Sequence, residues 1–267
     1  MTLYVYDGSY DGLLSALYRA LQDGRAAHEA AVRARHVRTA TQADLFADEV
    51  AVATNPARAR RLRDALRRRT GSDALEARLY YAFLSEAEGW DRLVADAVLG
   101  LATTAHLDPR LDHVHALEAL ERRVRRETHR MHAFVRFEEH SDHSLRATIA
   151  PDHHVLPLIG DHFAARYPAE HWRIHDARRR LTLVHEPDGD PRLQITADGD
   201  GRTAPSPAEN EFQALWQQYY RATNIPARRN LRLHVQHVPR RYWPYLTEKQ
   251  PTDEPPPEPA SGEPPEA

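Results

Sequence analysis

A change in the spacing of apolar residues near Met131 limits what this chain can fold into. Before Met131, apolar residues recur at helical intervals, as in residues 90–101 and 111–124, which is typical of helices with one apolar face. After Met131, alternating stretches such as FVRF, SLRATIAP, HWRIHD and RLTLVHE indicate strands. The pattern predicts an α+β fold, in which an antiparallel sheet at about residues 131–197 packs with N-terminal and C-terminal helical segments.

Three regions follow from this change of pattern. Residues 1–130 are predicted to form an N-terminal strand in TLYVYDG, a second short strand in VAVAT, and otherwise mainly helices. Residues 131–247 are predicted to form an α+β region that ends in helices rich in arginine and aromatic residues. Residues 248–267 contain six acids, one lysine and many prolines, so we expect a disordered tail. The tail could increase solubility, or its acids could compete with other ligands for a basic groove.

The composition excludes several kinds of site. The chain has no cysteine, so it cannot form disulfides, zinc–thiolate sites or cysteine-ligated iron–sulfur clusters. No apolar run approaches the roughly 18–20 residues that cross a bilayer, and no secretory signal pattern opens the chain. We therefore expect a cytoplasmic protein without membrane contact, and we predict neither a metal site nor a cofactor.

The placement of arginine is more informative than its abundance, because Lys249 is the only lysine among 36 basic residues. Residues 228–246, RRNLRLHVQHVPRRYWPYL, combine five arginines with three aromatic residues. Guanidinium groups beside aromatic rings can bind phosphates and stack on bases. The candidate nucleic-acid-binding residues are Arg228, Arg229, Arg240, Arg241, Tyr242 and Trp243. The alternative is a surface that pairs with acids of the same chain.

Two other segments bear on a basic surface. Residues 57–69 hold seven arginines and one aspartate, which suits either a helix along a phosphate backbone or a solvated helix. In the helix that precedes the arginine–aromatic stretch, Phe212, Leu215, Trp216 and Tyr219 share one face. We predict that this face is mostly core.

Candidate catalytic residues are fewer. His175 precedes Asp176, and an imidazole backed by a carboxylate can act as a base; the alternative is a polar strand end. YDGSYDG places Asp7, Gly8 and Gly12 where a strand turns into a helix, which permits close approach of a ligand or forms only a capped turn. The stretch EEHSDH has residue types that bind metals but lies in a predicted hairpin turn.

Several of these segments, taken in order, resemble a bacterial family that has no established reaction and is described as acting in DNA metabolism or DNA repair. They are YDGSYDGLLSALY, FVRF, HFAARYPAEHWRIHDARRR and FQALWQQYYRATNIPARRN…VPRRYWPYLTE. The matching positions include Asp7, Gly8, Gly12, His175, Asp176, Arg179, Trp216, Tyr220, Arg229, Asn230, Arg241, Tyr242 and Trp243. No catalytic residue is carried over by the resemblance.

The resemblance implies a setting in which members are encoded beside a radical-SAM protein, or are fused to a uracil-DNA-glycosylase-like domain. Because this chain lacks cysteine, radical chemistry would belong to the partner. The resemblance therefore implies a DNA-repair or DNA-metabolism accessory protein that binds DNA and works with a radical-SAM protein. It also implies a uracil-DNA-glycosylase-like protein as a second candidate partner. The alternatives are a nucleotide- or base-acting enzyme that uses His175 and Asp176, and an adaptor without DNA contact.

Overall fold

A computed structural model describes residues 1–35, 47–103, 112–195, 204–223, 225 and 230–250. The chain divides into two compact units. The first unit comprises residues 1–131 together with a short insertion, Pro151–Ile159. The second comprises His132–Ala150 and all residues from Gly160 onward.

The first unit is built on a three-stranded parallel sheet with the order β2-β1-β3. β1 is Thr2–Tyr6, β2 is Ala30–Ala34 and β3 is Asp48–Ala51. All five residues of β1 are buried, because this strand lies between the other two. The sequence pattern predicted β1 and placed β3 slightly late, whereas it did not identify β2.

Helices pack around this sheet. They are α1 (Tyr10–Gln22), α2 (Pro56–Thr70), α3 (Ala74–Ser85), α4 (Trp90–Thr103) and α5 (Asp112–Phe134), of which the last continues into the second unit. Ser9 caps α1, and Asn55 caps α2 with a proline in the first turn. Leu13, Leu14 and Leu17 of α1 are fully buried in the core of this unit.

The insertion at Pro151–Ile159 is fastened by a buried carboxylate of α5. Glu127 is 3% exposed, and its two oxygens accept the backbone N–H groups of Asp152 at 2.9 Å and His153 at 2.7 Å. A buried carboxylate requires such donors, because burial of an unpaired charge is costly. These contacts explain why a short segment surrounded by second-unit sequence belongs to the first unit.

The second unit contains a five-stranded sheet with the order β4-β5-β6-β7-β8. The strands are β4 (Glu138–Glu139), β5 (Leu145–Ile149), β6 (Trp172–Asp176), β7 (Leu181–His185) and β8 (Arg192–Ile195). β5 and β6 are parallel, and the other neighbours are antiparallel. The mixed α+β class is therefore confirmed, but the prediction of an antiparallel sheet is wrong. The helix α6 (Leu156–Arg166) lies between β5 and β6 and makes the crossover that a parallel pair requires.

The chain then forms α7 (Pro207–Ala222), α8 (Leu231–His237) and two 3-10 helices, Arg240–Tyr245 and Thr247–Lys249. Glu248 and Lys249, which the composition groups with the acidic tail, thus belong to a 3-10 helix. Residues 251–267, and the prediction that they are disordered, lie outside the described residues. Within the described ranges, no helix combines the length and apolarity needed to cross a membrane.

Candidate nucleic-acid interface

The C-terminal segment is anchored by Tyr242. This side chain is 2% exposed, and its ring centroid lies 5.4 Å from that of Phe134 in α5. The Arg241 guanidinium lies 4.6 Å from the centroid of the same ring and donates to the Tyr242 hydroxyl at 2.8 Å. A buried ring cannot stack on a base from outside, so Tyr242 is corrected from a candidate stacking residue to a structural anchor.

A second anchor is Glu248. Arg136 Nη2 lies 2.8 Å from Glu248 Oε1, and Trp216 Nε1 donates to Oε2 at 3.3 Å. Burial alone raises the pKa of Glu248, but the Arg136 hydrogen bond and charge outweigh it, so the pKa lies below its usual value. This carboxylate therefore holds the segment against α7 and against the residues that follow α5, while its own charge is neutralised.

Arg240, Trp243 and Lys249 form what we call the cation–indole cluster. The Arg240 guanidinium lies 5.7 Å from the Trp243 ring centroid, and the Lys249 ammonium lies 5.4 Å from it. The indole is fixed because its Nε1 donates to the Val238 carbonyl at 3.0 Å. Among the described residues, neither cation forms a salt bridge with an acid, and Arg240 is exposed. The cluster therefore presents positive charge on a rigid aromatic ring.

The apolar side chains of α7 are largely exposed. Phe212, Leu215 and Tyr219, which we call the α7 face, are 63%, 64% and 60% exposed. The prediction that this stripe is mostly core is wrong, because the segment around Glu248 covers the neighbouring side of the helix instead. There Gln217 Nε2 donates to the Thr247 carbonyl at 2.9 Å.

Contacts between side chains connect the α7 face to the cation–indole cluster. The Trp216 and Tyr219 rings lie 5.8 Å apart, and Lys249 Nζ donates to the Tyr220 hydroxyl at 2.5 Å. The α7 face and the cation–indole cluster therefore each contact a neighbouring aromatic side chain of α7, Trp216 in the first case and Tyr220 in the second. Two of the predicted nucleic-acid-binding residues, Arg228 and Arg229, lie outside the described residues.

His175 and Asp176 do not act on each other. Successive residues of β6 alternate between the two faces of the sheet, with Asp176 fully buried and His175 half-buried. His175 Nδ1 lies 3.0 Å from Thr182 Oγ1 across the β6–β7 pair. This geometry corrects the expectation of an imidazole backed by its neighbouring carboxylate.

Asp176 instead organises the turn between β6 and β7. It accepts the backbone N–H groups of Arg178 at 3.0 Å and Arg179 at 3.2 Å, and the Arg179 guanidinium at 2.8 Å. The Arg179 side chain is itself only 8% exposed. Arg179, a candidate suggested by resemblance alone, is therefore the buried partner of this aspartate.

Asp7, Gly8 and Gly12 come together at the carboxyl edge of the parallel sheet in the first unit. The Asp7 carboxylate accepts the Ser9 backbone N–H at 2.9 Å and the Thr54 hydroxyl at 2.7 Å. Desolvation opposes ionisation, but these hydrogen bonds dominate and lower the pKa of Asp7. Because a carboxylate already occupies the anion-attracting start of α1, this turn is a poor phosphate site.

The glycines of that turn are explained by its geometry. Gly8 has a φ of 95°, which is accessible mainly to glycine. A Cβ atom at Gly12 would lie 2.2 Å from Asp7 Oδ1 and 2.9 Å from Thr54 Oγ1. These residues tie β1, α1 and the end of β3 together. His175 belongs to the other compact unit.

The remaining polar candidates have local partners. In α2, Arg63 pairs with Asp11 at 2.5 Å and Glu76 at 3.3 Å, and Arg67 pairs with Asp73. The arginines Arg60, Arg61 and Arg68 are exposed. In the predicted hairpin turn, the Asp142 carboxylate accepts hydrogen bonds from the Ser144 hydroxyl and the Arg146 guanidinium. The described residues include no group of three or more His, Asp or Glu side chains placed to hold a metal ion.

Sequence reasoning missed the residues that hold this surface in place. Arg136 was not identified, and the composition grouped Glu248 and Lys249 with the tail. Trp216 was identified, but as part of a core stripe and not as a partner of Glu248. One signal was available: Leu246, which is 1% exposed, continues the apolar pattern up to the edge of that tail. An apolar residue there indicates that the fold extends into the first acidic residues.

Comparison with known proteins gives one family. Neither the curated proteins nor the solved structures contain a match to this chain. Residues 90–248 match a domain of unknown function, DUF4130. The match begins at the first residue of α4, ends at the acid that pairs with Arg136, and covers more than half of the chain. The chain therefore belongs to the DUF4130 family.

Proposed function

We propose that the second unit binds nucleic acid through the cation–indole cluster and the α7 face, and that the protein is an accessory factor in DNA metabolism or repair. The proposal rests on the surroundings of two cations, Arg240 and Lys249, which contact an aromatic ring and have no acidic partner among the described residues. Both cations contact the Trp243 ring, and neither forms a salt bridge within the described residues. Cations that are not neutralised by the protein are available to phosphates.

The local charge favours a polyanion. Residues 230–250 contain four basic residues and one acid, a net charge of +3. The acid is Glu248, whose charge is already compensated by Arg136. Arginine beside tryptophan can bind a phosphate and support a stacked base at once. The charge pattern is therefore that of a surface that attracts nucleic acid.

The exposed rings favour single strands. Phe212 and Tyr219 are more than half exposed, so their faces are available to bases that are not already stacked in a duplex. Such stacking contributes about 1–3 kcal/mol per base. We therefore propose single-stranded or locally opened DNA as the preferred ligand.

The role in DNA metabolism comes from the family resemblance of the sequence. On that basis we propose that a radical-SAM protein supplies the chemistry, since this chain has no cysteine to hold its cluster. A uracil-DNA-glycosylase-like protein is the second proposed partner.

An independent enzyme has less support, because the Asp176 carboxylate already binds the Arg179 guanidinium and the backbone of a turn. An adaptor without DNA contact would capture the radical-SAM protein yet fail to bind DNA.

The experiment is fluorescence anisotropy at low salt with labelled single-stranded, duplex and uracil-containing oligonucleotides. We expect the full chain to bind the single strand most tightly, and Arg240→Gln to weaken that binding about five- to tenfold, or roughly 1–1.4 kcal/mol. Arg192→Gln is the matched control, because Arg192 is an exposed arginine on β8. An absence of binding, or equal losses in the two variants, would overturn the proposal.

A further inference from the structure

We propose that the acidic, proline-rich segment 251–267 docks on the α7 face and the cation–indole cluster of its own chain, where it competes with nucleic acid. The competition rests on the function proposed above, whereas the docking does not. The motivating observation is an apolar helix face with three side chains that are each at least 60% exposed. A contiguous exposed face of this kind marks an interaction surface.

The segment starts beside this surface. Gln250 is the residue before it, and its Nε2 donates to the backbone carbonyls of Trp243 at 3.3 Å and Pro244 at 2.5 Å. Lys249, one residue earlier, contacts both Trp243 and Tyr220. Gln250, to which the segment is joined, therefore lies next to the cation–indole cluster.

The segment is long enough to cover the surface. It has 17 residues, and a proline-rich chain extends by about 3.1 Å per residue, which gives a reach of about 53 Å. The 16 residues of α7 span only about 24 Å at 1.5 Å per residue. Reach therefore does not limit contact with any part of the α7 face.

The chemistry of the segment matches the surface. It holds five acids and seven prolines and no basic residue. The acids are opposite in charge to Arg240 and Lys249, and aromatic-lined surfaces bind proline-rich segments. A phosphate backbone would use the same cations. Bases would use the same rings, so the two ligands exclude each other.

Docking is tested first without nucleic acid. Because the chain has no cysteine, Ser261→Cys provides a single thiol for attaching a dye. The fluorescence of this dye is quenched when it contacts tryptophan. We expect the full-length labelled protein to be dimmer than the same protein with Leu215→Ser, which disrupts the α7 face. Ile195→Ser is the matched control, because Ile195 is an exposed apolar residue of β8, and it should leave the emission unchanged.

Equal emission with and without Leu215→Ser overturns the docking. Quenching that rises with protein concentration also overturns it, since the α7 face would then contact a second copy. Quenching that is independent of concentration and lost only in Leu215→Ser supports it.

Competition is tested with a full-length variant in which Asp253, Glu254, Glu258, Glu263 and Glu266 are replaced by their amides. We expect this variant to bind a single-stranded oligonucleotide about tenfold more tightly. This gain corresponds to a tethered segment whose effective concentration is about ten times the Kd of the segment for the surface. Unchanged affinity overturns the competition. If neither protein binds the oligonucleotide while the dye is still quenched, the proposed function fails and the docking stands.

Discussion

Glu248 shows how the contacts of one residue can contradict a boundary drawn from composition. By composition it is the first acid of a long acidic tail, yet it lies against Arg136 and Trp216 inside the second unit. Composition could not reveal this, because the arginine that pairs with it is 112 positions earlier in the chain. Long-range ion pairs of this kind leave no local pattern in a sequence.

Replacing Glu248 with Gln should destabilise the second unit. The change removes a charged hydrogen bond to Arg136, which contributes about 1.5–3 kcal/mol. Urea unfolding at neutral pH measures the loss. Glu211→Gln is the control, because Glu211 is an exposed acid of α7, and it should change stability little.

The effect of Glu248 should also depend on pH. Burial raises its pKa, but hydrogen bonds from Arg136, the backbone and Trp216, together with the charge of Arg136, outweigh burial and lower the pKa in the folded protein. The stabilisation is therefore full above the unfolded pKa of about 4.3 and is lost as the pH falls through the lower folded pKa. The stability difference between wild type and Glu248→Gln should shrink in that acidic range. A difference that grows as the pH falls would contradict the assignment.

The roles of Asp176 and His175 can be separated by stability. Asp176→Ala leaves the nearly buried Arg179 guanidinium without its carboxylate, so we expect a loss of about 3–5 kcal/mol. His175→Ala removes only a contact with Thr182, so the loss should be near 1 kcal/mol. Thermal unfolding of both variants measures the difference. Equal effects would contradict a structural role for Asp176.

At the scale of elements, sequence spacing predicted most helices and several strands but not the direction of every strand. SLRATIAP alternates as strands do, yet alternation does not distinguish parallel from antiparallel pairing. The prediction of a strand at FVRF is wrong, because Phe134 ends α5 and β4 begins only at Glu138. The parallel direction of β5 and β6 depends instead on the crossover through α6. The apolar spacing also could not predict that Phe212, Leu215 and Tyr219 are exposed. An apolar helix face has the same sequence pattern whether it packs in a core or binds a ligand.

Two glycines give a prediction about helices α1 and α4. In Gly12→Ala the new methyl group would meet Asp7, Thr54 and Ser9 within 3.0 Å, so we expect a loss of about 1–3 kcal/mol. Gly100→Ala has nothing within 4 Å and should stabilise the protein by about 0.5–1 kcal/mol. Denaturant unfolding measures both, and a stabilising Gly12→Ala would contradict the packing described for the turn after β1.

At the scale of the whole molecule, the two compact units divide the candidate residues between them. The turn with Asp7, Gly8 and Gly12 belongs to the first unit, and the arginine–aromatic segment belongs to the second. The family match covers α4, α5 and the described elements of the second unit but leaves out the parallel sheet. The second unit, for which we propose nucleic-acid binding, thus lies mostly within the region shared by the DUF4130 family.

The salt dependence of DNA binding tests this account most directly. If two or three phosphates contact the surface, the affinity of the full chain for a single strand should fall with salt at a log–log slope of about −1.4 to −2.1. Arg240→Gln should make that slope shallower by about 0.7, the value of one phosphate contact, and Arg192→Gln should leave it unchanged. A slope near zero for the wild type, or one that Arg240→Gln does not alter, would contradict the claim that the cation–indole cluster binds nucleic acid.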